Sequence, residues 1–208
     1  MPRRLTAFEN CKSPVCIVLL TSLLVSSCQT NEGQEWKPTV GLSTTIADDY
    51  EVSFSSLGYT GPTVSVDYSV NEIELGATRV TPNGKRPIKH EFAGFKLGSG
   101  ELSDEISSGD LDELSWGGII YNDKGEAIIP FFSIWATTSE YPNPSLSQQL
   151  GLRLGGGVEY MIEDSNASIT LGADFLVPLI EAEGDFVGIP FEVDGAGFAI
   201  RLGFRIFL

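Results

Sequence analysis

The side chains with chemical potential fall into three groups. The first is a set of charges set among strand-like alternations: Glu51, Asp67, Glu74, Arg153, Glu159, Asp174, Arg201 and Arg205. Successive side chains of a strand point to opposite faces, so charges at alternate positions share one face, and a closed sheet would force them to pair with each other. The second is the single histidine, His90, in Lys89-His90-Glu91-Phe92, which could serve as a base toward a hydroxyl nucleophile. The third is the run from Glu101 to Glu113, with six acids in thirteen residues. It lacks the ligand spacing of a Ca²⁺ loop and reads as a solvated acidic loop. Gly155-Gly156-Gly157 has no phosphate-loop spacing and lies inside a strand pattern. No metal ligand set and no cofactor motif emerges, so none is expected.

The elements that must carry these groups are strands. From Phe198 to Leu208 every even position is large and apolar (Phe198, Ile200, Leu202, Phe204, Ile206, Leu208), while Ala199, Arg201, Gly203 and Arg205 alternate with them. Leu150–Ile162 and Ala167–Val177 alternate in the same way. Further strands are expected at Tyr50–Leu57, Thr63–Val80, Ile88–Leu97, Leu114–Tyr121 and Ala127–Thr137, eight in all. The change of apolar parity in the second of these calls for a bulge at Asn71-Glu72. Short turns at 81–84, 122–125 and 163–166, rich in Asn, Asp and Gly, alternate with longer connections at about 98–113, 138–149 and 178–197. Tyr121, Trp135, Tyr160 and Trp116 fall near strand ends, where aromatic girdles form at membrane interfaces.

Composition limits the partners. With 28 acids against 13 bases and a net charge of −15, the chain is a poor match for nucleic acid. The N-terminus has basic Arg3, Arg4 and Lys12, then the apolar run from Val15 to Val25, then small residues, the three parts of an export signal. Leu24-Val25-Ser26-Ser27-Cys28 resembles the lipobox of bacterial lipoproteins. That resemblance implies cleavage before Cys28 and lipid attachment to its thiol. Three units follow: residues 1–27 as signal peptide, 28–48 as a flexible tether with Trp36 at a membrane interface, and 49–208 as a barrel domain.

The alternation over 150–208, the turn pattern and the terminal strand resemble the small bacterial outer-membrane β-barrels of the OmpA-like and OmpX-like group. The resemblance implies an all-β fold, an eight-stranded antiparallel up-and-down transmembrane β-barrel. It also implies location in a Gram-negative outer membrane with both termini periplasmic. Outer-membrane lipid, lipopolysaccharide and the barrel-assembly machinery are the implied partners. Phe198, Ile200, Leu202, Phe204, Ile206 and Leu208 then face lipid. A barrel of this size is filled by its own side chains, so Arg153, Asp174 and Arg201 are expected to pair in the lumen, and Arg205 to pair with Glu51. The role implied is structural or surface-interacting rather than enzymatic. Lipid A-modifying barrels use a His-x-Ser arrangement, and Phe92 stands where the Ser would be. The competing reading is a soluble or tethered lipocalin-like barrel with the faces inverted, Arg201 and Arg205 in water and the apolar row around a small apolar ligand.

Overall fold

The computed structural model describes residues 33–56, 59–83, 86–103, 108–140, 148–163, 165–180, 182–186 and 189–208. Every described element is a strand: β1 (Glu35–Ser56), β2 (Tyr59–Thr81), β3 (Ile88–Ser103), β4 (Ser108–Tyr121), β5 (Ile128–Glu140), β6 (Gln149–Met161), β7 (Ala167–Ile180), β8 (Ala182–Phe186) and β9 (Ile189–Phe207). All pairings are antiparallel; β1 to β7 pair in chain order, β9 pairs with β7 and β8, and β1 pairs with β9 to close the sheet. β7 and β8 are the lower and upper parts of one stave, both paired with β9. The molecule is therefore a closed eight-stranded antiparallel β-barrel.

The strands run longer than the alternation alone suggested. β1 begins at Glu35, so most of the expected tether over 28–48 is barrel wall, and the domain boundary at 49 moves back accordingly. Cys28, the signal segment 1–27 and the lipobox lie outside the described residues. The described parts of the long connections expected at 98–113 and 178–197 are mostly strand as well; of the one expected at 138–149, residues 138–140 and 149 are strand and 141–147 lie outside the described residues. β2 alone has 23 residues, more than twice the ~9–11 that a tilted strand needs to cross a bilayer. Its upper half must project beyond any apolar layer.

Of the register slips, two decide which charges face the lumen, and neither is at Asn71-Glu72. β2 runs through that dipeptide in unbroken register, Ser43 opposite Glu72 and Thr44 opposite Asn71. The slip falls on β1, where Asp48-Asp49 is skipped by β2 and the 47–50 segment by β9. Below it the odd residues of β1 face inward (Thr39, Ser43, Thr45), whereas above it Tyr50 and Val52 do. The second slip is on β3, where Val80 pairs with Lys89 and Arg79 with Glu91, leaving His90 as the extra residue. Both Lys89 and Phe92 thereby point into the lumen.

The interior is filled. In its lower half, at the end with the short turns, Phe92, Ile119, Tyr121, Ile129, Phe131, Trp135, Met161 and Phe207 form one apolar cluster. In its upper half Tyr50, Val52, Tyr68, Val70, Leu111 and Leu176 form another, with the Tyr50 and Tyr68 rings stacked at 5.2 Å. Tyr121 and Trp135 therefore line the interior and not a girdle. Trp116 and Tyr160 are outward and over 40% exposed.

Two neighbouring short turns are tied together. Asp123 accepts two hydrogen bonds from the Arg86 guanidinium, at 2.7 and 2.8 Å, and two more from the backbone N–H groups of Lys89 and Gly125. Gly125 has φ +88°, a conformation that glycine adopts without steric cost. Partial burial would raise the Asp123 carboxyl, but the bonds from Arg86 and from the two N–H groups more than reverse this and hold it below the ordinary aspartate range.

Candidate functional site

Among the described residues, the lumen holds ten buried charged side chains of balanced sign: Lys89, Lys96, Arg153, Arg201 and Arg205 against Glu72, Glu74, Glu113, Glu159 and Asp174. Eight of them form one chain in which the sign alternates at every step. Lys89 bridges to Glu159, and Glu159 to Arg205 at 3.2 Å. Arg205 then reaches Glu74 at 2.6 Å, Glu74 reaches Lys96 at 3.2 Å and Lys96 reaches Glu72 at 3.1 Å. Arg153 joins Glu72, at 2.7 Å, to Glu113, at 2.6 Å. A lone charge removed from water at these depths is untenable, and alternation gives every member a partner of opposite sign, the six inner ones on either side.

Hydroxyls and rings complete the set. Ser168 donates to Glu159, Ser43 and Thr45 donate to Glu72, and Tyr68 donates to Glu113 while accepting from Arg153. Lys89 lies 3.7 Å from the centroid of Phe207, whose ring caps the floor of the lumen, and Lys96 lies 4.7 Å from that of Trp135. Arg201 and Asp174 stand apart as a pair at 3.2 Å, with Arg201 also donating to Ser133. The Asp174 carboxylate folds directly over Gly155: a Cβ there would sit 1.8 Å from its Oδ1, so only glycine permits this placement.

The outer wall is the opposite. Phe198, Ile200, Leu202, Phe204, Ile206 and Leu208 are 39–68% exposed, while Arg201 and Arg205 on the same strand are at most 1% exposed. Outward Leu42, Ile46, Ile73, Leu97, Ile120, Ile134, Leu171 and Phe175 continue this surface around the barrel. An exposed apolar band of that extent is far beyond what a water-facing surface carries. The arrangement rules out the inverted, lipocalin-like reading.

No protein-family model and no curated protein matches the sequence. Among solved structures the chain is similar to outer membrane protein AlkL, determined by solid-state NMR in DMPC lipid bilayers, with a TM-score of 0.50 and 11% identity over 87% of this chain and 94% of that one. It is also similar to outer membrane protein OprG from Pseudomonas aeruginosa, with a TM-score of 0.49 and 16% identity over 83% of this chain and 95% of that one. The fold is that of the small outer-membrane β-barrels.

Within the barrel, Arg153, Asp174, Arg201 and Arg205 are all inward and buried. Their pairing differs in part from expectation. Arg201 pairs with Asp174, but Arg153 bridges to Glu72 and Glu113. Arg205 meets Glu74 and Glu159, and Glu51 is not its partner: the β1 bulge turns Glu51 to the exposed outer surface. Asp67 is likewise exposed. Four chain members were not anticipated, namely Glu72, Lys89, Lys96 and Glu113. Glu113 belongs to the run read as a solvated loop, and Lys89 faces inward only because of the bulge beside it. A signal for Lys96 existed in its direct register with Glu74, but that register becomes readable only once β2 and β3 are aligned. His90 is part-buried at the barrel's lower rim, with Thr81 Oγ1 2.7 Å from its Nε2. No catalytic constellation surrounds it among the described residues.

Proposed function

We propose that this protein is an outer-membrane β-barrel lipoprotein with a structural or surface-interaction role in a Gram-negative envelope, its lumen closed by the alternating charge chain. The observation that carries this reading is the segregation on β9, with arginines buried and the apolar row turned outward around a filled barrel. Cys28 is the attachment point in this reading. It stands seven residues before Glu35, a span of at most ~25 Å when extended, which keeps the lipid close to the barrel. The short turns and both chain termini then face the periplasm, and the projecting upper strands face outward.

That upper end is suited to surface interaction by its charge. Asp48, Asp49, Glu51, Asp67, Glu101, Asp110, Asp112, Glu140, Glu183 and Glu192 are exposed there, and no Lys or Arg shares that outer surface among the described residues. Gel migration, lipid labelling and conductance test the proposal. Detergent-extracted protein should migrate faster on gels before boiling than after, and labelled fatty acid should be incorporated into the wild type but not into Cys28→Ala. In planar bilayers the folded barrel should show no steady solute-sized conductance. A porin-like conductance would overturn the closed lumen, and solubility of the unlipidated chain without detergent would overturn the membrane reading.

A further inference from the structure

The outward face of β1–β4 at the short-turn end breaks the apolar pattern at one place. Register places Trp36 opposite Arg79, Arg79 opposite Glu91 and Glu91 opposite Ile120, one row along the hydrogen-bonding direction. Arg79 and Glu91 are 20% and 30% exposed, with Arg79 Nε 3.2 Å from Glu91 Oε1. The indole Nε1 of Trp36 and the Nε of Arg79 are covered by protein atoms, so the exposed part of the Arg79 side chain is its guanidinium end. Arg79 is the one basic side chain on the strands' outward face among the described residues; Arg86 and Lys124 sit in turns, and the rest line the lumen or its lower mouth.

The next row toward the middle of the barrel is made of small side chains: Pro38 opposite Ala77, Ala77 opposite Ala93, Ala93 opposite Gly118. The row beyond is large again, Val40, Leu75, Phe95 and Trp116 in register. Between a polar row at the rim and a bulky apolar row lies a shallow trough. Strands of such barrels tilt by ~35–45°, so the trough runs obliquely into the apolar band from the polar row.

We propose that this corner is a binding site for a phospholipid with a zwitterionic, ammonium-bearing head group, phosphatidylethanolamine. The inference rests on the membrane-spanning reading above. The terminal guanidinium nitrogens of Arg79 face the phosphate, as donors matched to its oxygens. Glu91 takes the ammonium, whose three N–H donors suit a carboxylate. One acyl chain lies in the Pro38–Ala77–Ala93–Gly118 trough. A head group with phosphate alone would leave Glu91 opposed to negative charge. A quaternary head group would offer Glu91 no N–H donor.

The test uses the full barrel in mixed micelles holding equal amounts of phosphatidylethanolamine, phosphatidylcholine and phosphatidylglycerol, with bound lipid read by native mass spectrometry. Faster gel migration before boiling first verifies the barrel, so failure of the membrane reading is seen separately from failure of the site. The wild type should retain phosphatidylethanolamine at least fivefold over each of the others. Arg79→Gln should lose phospholipid retention of every kind. Glu91→Gln should keep lipid but lose the preference for ethanolamine over choline, and Ala93→Leu should weaken retention without changing the preference. Equal retention of the three lipids by the folded wild type would overturn the proposal, as would an unchanged preference in Glu91→Gln.

Discussion

Among the described residues, ten charged side chains fill the lumen and ten exposed acids stand on the outside of the upper strands, yet the two sets obey different rules. The lumen holds five positive and five negative groups, with eight linked in one alternating chain. The upper surface holds acids and no base among the described residues. Charge withdrawn from water must be matched nearby, whereas charge in water is solvated and needs no partner. A chain with formal net charge −15 can therefore have a neutral interior, because its excess acid is placed where solvent carries the cost.

Four substitutions probe that contrast, strongest first. Arg205→Ala removes the link between Glu74 and Glu159 and leaves both buried carboxylates without their guanidinium. Unfolding by urea in lipid vesicles, followed by tryptophan fluorescence, should show a loss of about 3–5 kcal/mol. Leu202→Arg puts a charge on the middle of the outward apolar row of β9, and the same titration should show about 2–4 kcal/mol. A negligible effect there would mean that this row faces water. Arg86→Ala breaks the clamp on Asp123 and should cost about 1–2 kcal/mol near neutral pH.

The clamp also carries a pH signature. Because the native carboxyl of Asp123 is held low, its contribution is complete above the unfolded value of about 3.9 and disappears as pH falls through the native one. The gap between wild type and Arg86→Ala should therefore close in acid. Smallest of all, Glu51→Gln changes an exposed upper-surface acid and should shift stability by no more than about 0.5 kcal/mol. A larger loss would return Glu51 to the lumen side of the comparison.

Much of the wall was readable from residue order. β6, β7 and β9 alternate cleanly, because each has one face against lipid-like surroundings and one against a crowded polar interior. The short turns announce themselves through Asn, Asp and Gly. The lower half of β1 reads as a tether in the sequence, since its inward positions are the small polar Thr39, Ser43 and Thr45, which resemble linker composition until their partners are known. The lumen pairs were harder, and the reason is geometric. A bulge moves every later side chain to the other face, so the slip at Asp48-Asp49 took Glu51 out of the lumen and the one at His90 brought Lys89 in. A strand's own sequence gives its alternation but not the position of its slips. Cross-barrel partners such as Arg153 and Glu113, 40 positions apart, depend on all the registers between them.

The order in which the polar lumen residues enter the chain has a consequence for biogenesis. Glu72 and Glu74 are made early, on β2, while Arg153 arrives with β6 and Arg205 only with β9, the last strand. Until that strand docks, Glu74 has only Lys96 and Glu159 only Lys89 as a cationic partner in the chain, so partial sheets are electrostatically incomplete. Insertion should then resemble a latch that shuts once, at the seam between first and last strands, rather than a row of hairpins entering one after another.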